Sequence, residues 1–270
     1  MDSATVKRIA CIGSGNVAAS LLPALYGAGY KIVQVYSRNL RTAQQLAKVL
    51  GAASTDNPAD LSPNADIYII AVPDDEIENV LSKTTFGRGI VVHTSGSTPM
   101  SVFEKRGIAH YGVLYPLQTF MRHSVNFLRV PVYVEASDNV AMIELMFMAR
   151  KLSAEVYKIT SEKRMLLHIA AVFACNFSNH LLTIAARLLN DKDLSYVSLK
   201  PLICETFERA IQVDNPELLQ TGPAMRGDAK IVSQHIKALA DYPLIQQIYK
   251  LISESIMTKE SNQGKQSKAK

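Results

Sequence analysis

A strand that runs straight into a glycine-rich turn is the feature that most constrains how this chain folds. The strand covers residues 6–12, and the turn after it has the sequence Gly-Ser-Gly-Asn-Val-Ala at 13–18. Gly13 permits a tight turn, Gly15 lets the backbone approach a pyrophosphate, and Ala18 leaves room for the next helix to pack on the strand. The N-terminus of that helix would point its free N–H groups at the phosphates. The turn predicts a dinucleotide site; the alternative is a plain tight turn between a strand and a helix.

Strand and helix patterns alternate through the first 160 residues, which favours a doubly wound parallel sheet. The run at 66–72 is apolar almost throughout, as in a central strand that helices cover on both faces. After Thr160 only helical patterns remain. Further predicted strands lie at 31–36, 89–93, 109–114, 131–135 and 154–159, and predicted helices at 40–50, 139–151, 161–190, 196–213, 228–240 and 244–257.

The expected fold class is therefore α/β, with a doubly wound Rossmann-type sheet followed by an all-α C-terminal domain. We place the dinucleotide-binding domain at 1–160, a helical substrate and dimerisation domain at 161–258, and a disordered basic tail at 259–270. Four lysines against Glu260 give this tail +3 of the chain's formal charge of 29 − 24 = +5. A solvated tail explains the positive charge without a nucleic-acid-binding surface.

The cysteines and the apolar segments indicate the compartment. Cys11, Cys175 and Cys204 share no metal-ligand or redox spacing, and we expect them to be buried free thiols of a cytoplasmic protein. The most apolar helical stretch, 165–175, is short for a membrane span, and no secretion-signal pattern precedes the first strand. The expected partner is a small-molecule substrate, and we expect no metal, nucleic acid or membrane.

The residues after the second predicted strand indicate which dinucleotide binds. NAD sites usually place an acid there, whereas NADP sites carry a cation for the 2′-phosphate. Here Ser37 and Arg38 follow the strand, and arginine suits a phosphate because it can bind two oxygens at once. The sequence therefore favours NADP, and the alternative is a solvated arginine at a strand end.

The carboxyl ends of the other parallel strands should line the same crevice. Val72 and Pro73 at one end, and His93 and Ser95 at another, would lie along the nicotinamide half. The alternative for the second end is a hydroxyl-rich turn that only caps the next helix. The predicted cofactor-binding residues are Gly13, Ser14, Gly15, Asn16, Val17, Ser37, Arg38, Val72, Pro73, His93 and Ser95.

Polar side chains on the helix predicted at 161–190 indicate the reacting end of the site. At 100° per residue, His168, Asn176 and Asn179 fall within one stripe of an otherwise apolar helix. Such groups need partners, water or a ligand, and the alternative is that they are satisfied core polar groups. We assign His168 as the catalytic proton donor, because imidazole side chains titrate near neutral pH, and Asn176 as the residue that orients the substrate.

Substrate contacts are predicted on two loops and on this helix. Gln118 and Thr119 lie between apolar neighbours just after the strand at 109–114, where a packed turn is the alternative. Arg226 would hold an anionic substrate group, unless its loop is only a surface turn, and Asp228 in the same loop would cap the next helix. The predicted substrate-binding residues are Gln118, Thr119, Asn179 and Arg226.

Several motifs together resemble a known family. They are Gly-Ser-Gly-Asn-Val-Ala at 13–18, His-Thr-Ser-Gly-Ser at 93–97, Tyr-Pro-Leu-Gln-Thr-Phe at 115–120, Asn-Phe-Ser-Asn at 176–179, Thr-Gly-Pro at 221–223 and Arg-Gly-Asp at 226–228. The arrangement resembles the 6-phosphogluconate dehydrogenase-like superfamily, which includes pyrroline-5-carboxylate reductases, deazaflavin-dependent NADP oxidoreductases, ketopantoate reductases and prephenate dehydrogenases. More narrowly, it resembles a bacterial group of oxidoreductases in which a Rossmann-like domain precedes a helical domain of unknown function.

The resemblance covers nearly the whole chain except the tail, and it implies a fold and a cofactor class. We expect hydride transfer between NADP(H) and a small imine, ketone or hydroxy acid in a cleft between the domains. Because the helix predicted at 161–190 is long and largely apolar, we also expect a homodimer formed through the helical domains, as in the related reductases. The identity of the substrate is left open by the resemblance.

Two departures from the superfamily bear on the chemistry. The β-hydroxyacid dehydrogenase branch uses a lysine four residues before an asparagine; aligned on Asn176, that position here is Val172. His168, one turn earlier, would replace the lysine as proton donor. The missing lysine also supports a different class of function, a non-catalytic NADP-binding sensor or regulatory protein. Prephenate dehydrogenases carry a histidine where this chain has Tyr115, which counts against that activity.

Overall fold

The computed structural model describes the backbone of residues 6–121 and 125–267, and the side chains of these residues up to Thr258. The chain divides into two compact units, Met1–Asn176 and Phe177–Lys270, which we call the sheet unit and the helical unit. The functional boundary predicted at residue 160 stays a prediction. The predicted disordered tail at 259–270 falls on residues whose side chains lie outside those described, so it too stays a prediction.

Within the described residues, eight strands form one sheet in the order β3-β2-β1-β4-β5-β6-β7-β8. The first six strands in the chain run parallel, whereas β7 pairs antiparallel with β6 and parallel with β8. The strands are β1 Arg8–Ile12, β2 Lys31–Tyr36, β3 Ala53–Thr55, β4 Ile67–Ile70, β5 Ile90–His93, β6 Tyr111–Pro116, β7 Val132–Ala136 and β8 Val156–Lys158.

Helices connect several of the strands and follow the sheet along the chain, which confirms the predicted fold class. The sheet unit contains α1 Asn16–Gly27, α2 Leu40–Leu50, α3 Ile77–Lys83, α4 Asn139–Leu152 and α5 Ser161–Ala171, and a π-helical segment follows at Val172–Phe177. The helical unit contains α6 Ser178–Asn190, α7 Lys200–Ala210, α8 Ala229–Ala238 and α9 Pro243–Ser267. The helix predicted at 196–213 is shorter, because residues 196–199 form a 3₁₀ turn before α7.

The core lies on both faces of the sheet because the central strands alternate their side chains between the two faces. Ile67 and Ile69 of β4 belong to one apolar cluster, with α1, α2 and α4. Tyr68 and Ile70 belong to the other cluster, with α3. Every residue of β4 is buried, as the apolar run at 66–72 predicts.

The strand order creates a topological switch point beside β1. From β1 the chain moves outward to β2 and β3, then crosses to β4 on the other side of β1. The last residues of the two strands, Ile12 and Ile70, lie in register. Ligands of open α/β sheets bind at the carboxyl ends of strands at such a point, so the fold directs attention to the turns that follow β1 and β4.

The cysteine prediction is wrong for two of the three thiols. Cys11 is buried in β1, and burial raises its thiol pKa to about 12. Cys175 and Cys204 are unpaired but exposed, the first on the segment Val172–Phe177 and the second on α7.

The helical stretch Ser161–Asn190 is longer than the short apolar segment considered in the sequence. Among the described residues, it is the one stretch long and apolar enough to cross a membrane by length and composition, with a mean hydropathy of 1.5. None of its most apolar eighteen-residue window is buried in the single chain.

Candidate functional site

The glycine-rich turn has the geometry of an anion-binding loop. Gly13 has a φ of +115°, and a Cβ there would collide with the carbonyl oxygen of Ala71, so the close approach of the two strand ends requires glycine. Gly15 occupies the N-cap of α1 and faces open space, since a Cβ built on it meets no atom within 4 Å. The first turn of α1 has neither a side-chain cap nor an acid. Its N–H groups are therefore available to a phosphate.

A cavity of about 890 Å³ opens beside this turn and extends past the ends of β1, β2 and β4. Its volume suits a large cofactor. Eight of the predicted cofactor-binding residues line it: Gly13, Ser14, Gly15, Asn16, Ser37, Arg38, Val72 and Pro73. Val17, His93 and Ser95 are not among its lining residues.

Three hydroxyl groups join the glycine-rich turn to the end of β2. Ser14 Oγ lies 2.8 Å from Ser37 Oγ and 2.6 Å from Thr42 Oγ1. Asn39 caps α2 by accepting a hydrogen bond from the Thr42 N–H. The cluster fixes the turn against the start of α2, so the backbone that would hold a phosphate is already ordered.

The charged residues that line the cavity are Arg38, Glu76 and Lys83. Arg38 Nη1 lies 2.8 Å from Glu76 Oε1, and Asn79 Nδ2 donates to Glu76 Oε2 at 2.9 Å. The hydrogen bond from Asn79 and the Arg38 guanidinium lower the pKa of the Glu76 carboxyl. The end of β2 itself carries no acid, since Ser37, Arg38 and Asn39 follow Tyr36.

These residues fit a dinucleotide that carries a 2′-phosphate. The uncapped start of α1 and the open space over Gly15 fit a pyrophosphate. The exposed guanidinium of Arg38, with the hydroxyl of Ser37 beside it, fits a further phosphate group at the ribose. Among the described residues, no group of three or more His, Cys, Asp or Glu side chains could hold a metal ion.

A second cluster lies at the carboxyl end of β6, where Tyr115 meets His168 of α5. Tyr115 Oη lies 3.0 Å from His168 Nδ1. The imidazole packs directly on Gly96, where a Cβ would come within 2.6 Å of His168 Nδ1. Burial raises the pKa of the Tyr115 phenol to about 12, with Asp74 adding to the effect and Arg164 opposing it. The phenol therefore stays protonated at neutral pH.

A buried cation fixes the turn of α5 that precedes His168. Arg164 is fully buried and forms an ion pair with Glu135 of β7. Its guanidinium also donates to the carbonyl of Thr98, and Ser161 Oγ donates to Glu135. Because Arg164 lies one turn before His168, this network sets the position of the imidazole against Tyr115.

His93 and Ser95 stabilise the turn after β5 from within. The His93 ring is fully buried and stacks on Phe103 at 5.4 Å, and its Nδ1 accepts a hydrogen bond from the Ser95 N–H. Burial lowers the His93 pKa from 6.5 to about 3. Ser95 Oγ accepts hydrogen bonds from the N–H groups of Ser97 and Thr98, as in the capping turn considered in the sequence analysis.

The loop after β6 lies next to the glycine-rich turn. Asn16 Nδ2 donates to the carbonyl of Phe120 at 3.2 Å, and Met121 lines the cavity. Gln118 and Thr119 are exposed, and Gln118 Oε1 accepts a hydrogen bond from the Thr119 N–H. The loop predicted to face the substrate is thus held at the edge of the predicted cofactor site, in the sheet unit.

The remaining predicted site residues are exposed, and their roles stay predictions. Asn176 lies on the π segment, Asn179 on α6, and Arg226 on the loop before α8. The stripe predicted at 100° per residue does not hold across Val172–Phe177, because hydrogen bonds in a π-helix run from i to i+5 and change the phase of the helix. Single-turn π segments often occur at functional sites.

Two side chains of the candidate site, Tyr115 and Glu76, were not predicted from the sequence, whereas His168 was. Tyr115 and His168 are 53 residues apart, and their pairing depends on the contact between α5 and the sheet. Glu76 looks in the sequence like one more acid at the start of a helix, and its approach to Arg38 depends on β2 and β4 ending on either side of β1. The one signal in the sequence for this cluster was Tyr115, which directly follows the strand predicted at 109–114.

Comparison with known proteins agrees with this geometry. Residues 8–95 match the model of a family described as NADP oxidoreductase, coenzyme F420-dependent. Residues 130–256 match a domain of unknown function, DUF2520. No curated protein sequence matches the chain.

Solved structures resemble the chain over nearly its full length. It is 39% identical to BF3122 from Bacteroides fragilis, a protein assigned as an NADP oxidoreductase, with a TM-score of 0.84 over 94% of this chain and 98% of the other. A pyrroline-5-carboxylate reductase from Coxiella burnetii is 14% identical, with a TM-score of 0.56 over 96% and 98% of the two chains. A reductive aminase from Aspergillus terreus, solved with NADPH, is 13% identical, with a TM-score of 0.61 over 87% and 78%. The last two similarities show a shared fold alone.

Proposed function

This chain belongs to the NADP oxidoreductase family represented by the Bacteroides fragilis protein, and from that premise we propose that it is an enzyme that transfers a hydride between NADP(H) and a small molecule. An imine, a ketone or a hydroxy acid fits the proposal. The observation that carries it is the cavity at the switch point, which joins the uncapped N-terminus of α1 to Arg38 at the end of β2. Among nicotinamide cofactors, that combination favours the one with a 2′-phosphate.

The chain's own residues would bind the cofactor and move a proton. When bound, the nicotinamide supplies or accepts the hydride. The N–H groups of α1 and the turn at Gly13 to Gly15 hold the pyrophosphate. Tyr115 donates a proton to the substrate oxygen or nitrogen, and His168, at 3.0 Å from Tyr115 Oη, returns a proton to the phenol. Gly96 leaves the imidazole the space it needs.

We propose that a second copy of the chain covers the exposed apolar surface from α5 onward. The length and hydropathy of Ser161–Asn190 also suit a membrane span, but Arg164 and His168 bind α5 to Glu135 and Tyr115 of the sheet unit. Packing that fixes one face of α5 on the sheet is incompatible with lipid all round it. The form of the protein that we propose is therefore a cytoplasmic homodimer.

The cofactor assignment is tested by comparing NADPH and NADH on the Arg38→Ala variant. The loss of a charge-assisted hydrogen bond costs about 1.5–3 kcal/mol, so NADPH should bind roughly tenfold or more weakly while NADH changes little. Titration calorimetry measures both constants. Arg41→Ala is the matched control, because Arg41 is exposed nearby but does not line the cavity. Equal weakening of both cofactors by Arg38→Ala contradicts the 2′-phosphate assignment.

Turnover distinguishes the enzyme from the NADP-binding sensor that the missing lysine at Val172 also supports. NADPH oxidation is followed with a panel of imines, ketones, aldehydes and oxidised deazaflavin, and NADP reduction with hydroxy acids. With any active substrate, Tyr115→Phe should lower kcat by about 10²-fold or more, because it removes the proton donor and keeps the ring. Tight NADPH binding without turnover on any member of the panel would favour the sensor.

A further inference from the structure

Glu76 holds the cation that a 2′-phosphate would need. Arg38 Nη1 and Glu76 Oε1 lie 2.8 Å apart, and the Arg38 side chain remains 70% exposed whereas that of Glu76 is 26% exposed. Asn79 donates to the second carboxylate oxygen of Glu76. Arg38, Glu76 and Asn79 all line the cavity beside the glycine-rich turn. The carboxylate is therefore held from two sides, and both it and the guanidinium face the cavity.

Two anions cannot share this position without cost. A phosphate that approaches Arg38 must either displace Glu76 from it or lie beside a carboxylate of the same charge. Lys83 is the other cation that lines this part of the cavity, and it offsets only part of the added negative charge. A ribose with a free 2′-hydroxyl meets no such repulsion, because a carboxylate accepts a hydrogen bond from a hydroxyl group.

We propose that Glu76 is a specificity-determining residue that limits how strongly the site prefers NADP(H) over NAD(H). Its carboxylate competes with the 2′-phosphate for Arg38 and accepts a hydrogen bond from the 2′-hydroxyl of NAD(H). In NAD sites an acid at the end of the second strand has that role; here it comes from the segment after β4. The inference rests on the proposed function, because it assumes that the cavity binds a nicotinamide dinucleotide.

The test is the affinity of Glu76→Gln for four ligands, measured by titration calorimetry in the whole protein. Adenosine 2′,5′-bisphosphate and AMP isolate the adenosine end, and NADPH and NADH report the complete site. An exposed ion pair is weak because water screens it, so only a modest gain is expected when the competing carboxylate is removed. The 2′-phosphorylated ligands should therefore bind about two- to fivefold more tightly to the variant, whereas AMP and NADH should bind equally or more weakly.

Glu78→Gln is the matched control, because it removes the same charge from an exposed residue two positions away that does not line the cavity. The Arg38→Ala/Glu76→Gln double variant should lose the gain, since the competition acts through Arg38. Melting temperatures identify any variant that loses its fold, and Glu76→Asp then serves as the second substitution, with a shorter reach toward Arg38.

Unchanged or weaker binding of the 2′-phosphorylated ligands to a folded Glu76→Gln protein overturns the inference, because Glu76 would then orient Arg38 rather than compete for it. A gain that persists in the double variant also overturns it. Failure of the proposed function looks different: the wild-type protein itself would bind neither NADPH nor NADH, and no Glu76 variant would need to be made.

Discussion

The sheet unit and the helical unit differ in where their apolar side chains lie. In the sheet unit, Ile9, Leu22 and Ile69 have no exposed surface, and apolar clusters cover both faces of the sheet. In the part of the helical unit whose side chains the structure describes, only Ala224, Val232 and Ser253 are buried. One unit encloses its own core, and the other encloses almost nothing.

The large apolar side chains of the helical unit instead face outward. The exposed ones include Leu181, Leu194, Val197, Leu202, Phe207, Ile211, Leu218, Leu244 and Leu251. Amphipathic helices gain most of their stability from burying such a face, and exposed apolar patches mark interaction surfaces. The helical unit therefore has enough large apolar side chains to form a core, but a single chain does not bury them. This supports our proposal of a dimer.

Among the tests of this comparison, we expect dilution to have the largest effect, because it would separate the two copies of the chain. We expect light scattering at micromolar concentration to give twice the mass of the chain. On dilution below the dissociation constant, amides of α6 and α7 should lose protection from hydrogen exchange, whereas those of β1 and β4 should keep it, because only the helical unit depends on the second copy.

A monomer at micromolar concentration with protected α6 and α7 amides would contradict this expectation. Partition into detergent micelles or vesicles, in place of a dimer, would assign the apolar surface to lipid. Because β1 and β4 serve as an internal reference in every sample, a general loss of stability on dilution is distinguishable from the loss of the helical unit alone.

A matched pair of leucines sharpens the comparison. Leu22→Ala removes a side chain with no exposed surface from α1 and should cost about 2–5 kcal/mol of unfolding free energy. Leu251→Ala removes a side chain that is 66% exposed in the single chain and should cost less than about 0.5 kcal/mol in the monomer. Urea unfolding at several protein concentrations measures both.

In the dimer, the cost of Leu251→Ala should rise with protein concentration if the second copy covers that residue, whereas the cost of Leu22→Ala should not. Equal costs for both leucines in dilute protein would contradict the distinction between an enclosed and an open unit.

The fold was largely predictable where one local pattern determines the structure. The apolar run at 66–72 gives a central strand, and the turn at Gly13 to Gly15 gives the start of α1, because both depend on neighbours in sequence. The reversed direction of β7 and β8 was not predictable, because side chains alternate along a strand in the same way whether it pairs parallel or antiparallel. The π segment at Val172–Phe177 was missed for a similar reason, because its residues have an ordinary helical composition.

The candidate site was predictable only in part, and on the same principle. Ser37 and Arg38 follow from strand ends that meet at one edge of the sheet. The pairing of Tyr115 with His168 and of Arg38 with Glu76 depends on how separate elements pack, which a single sequence does not reveal. His93 lies at a strand end in the sequence, yet the structure buries its ring on Phe103, because the side chain at that position points into the core.

Acid should destabilise the sheet unit through His93 by about 2 kcal/mol. Its pKa falls from 6.5 to about 3 on burial, so between these values the unfolded chain binds more protons and stability falls as pH falls. Between pH 7.5 and 5, this one group should remove about 2 kcal/mol of unfolding free energy. His93→Asn keeps an acceptor for the Ser95 N–H and cannot titrate, so it should remove that part of the pH dependence.

His180→Asn is the corresponding control in the helical unit, where His180 is exposed in the single chain. Denaturant unfolding at both pH values measures how the unfolding free energy changes with pH in the wild type and in the two variants. A His93→Asn slope equal to that of the wild type would mean that the ring is hydrated or finds a partner in solution.

Helix caps give the smallest expected difference between the units. Asp138 caps α4 by accepting hydrogen bonds from the N–H groups of Val140 and Ala141 at 2.8 and 3.1 Å, so Asp138→Ala should cost about 1 kcal/mol. Asp228 holds the N-cap position of α8 as predicted, but its side chain makes no capping bond, and Asp228→Ala should stay within about 0.5 kcal/mol. Thermal unfolding of the two variants measures the difference.

The cap at Asp138 should also respond to pH. Although burial opposes the shift, hydrogen bonds from Ser137 and His110 hold the pKa of Asp138 below its usual 3.8. The stabilisation is therefore present above that value and is lost as pH falls below it, so the gap between Asp138→Ala and the wild type should narrow in acid. If Asp228→Ala destabilises the protein as much as Asp138→Ala does at neutral pH, the Asp228 side chain caps α8 in solution, although it makes no capping hydrogen bond in the structure. The helical unit would then be better ordered than its open core implies, and the difference between the two units would lie in burial alone.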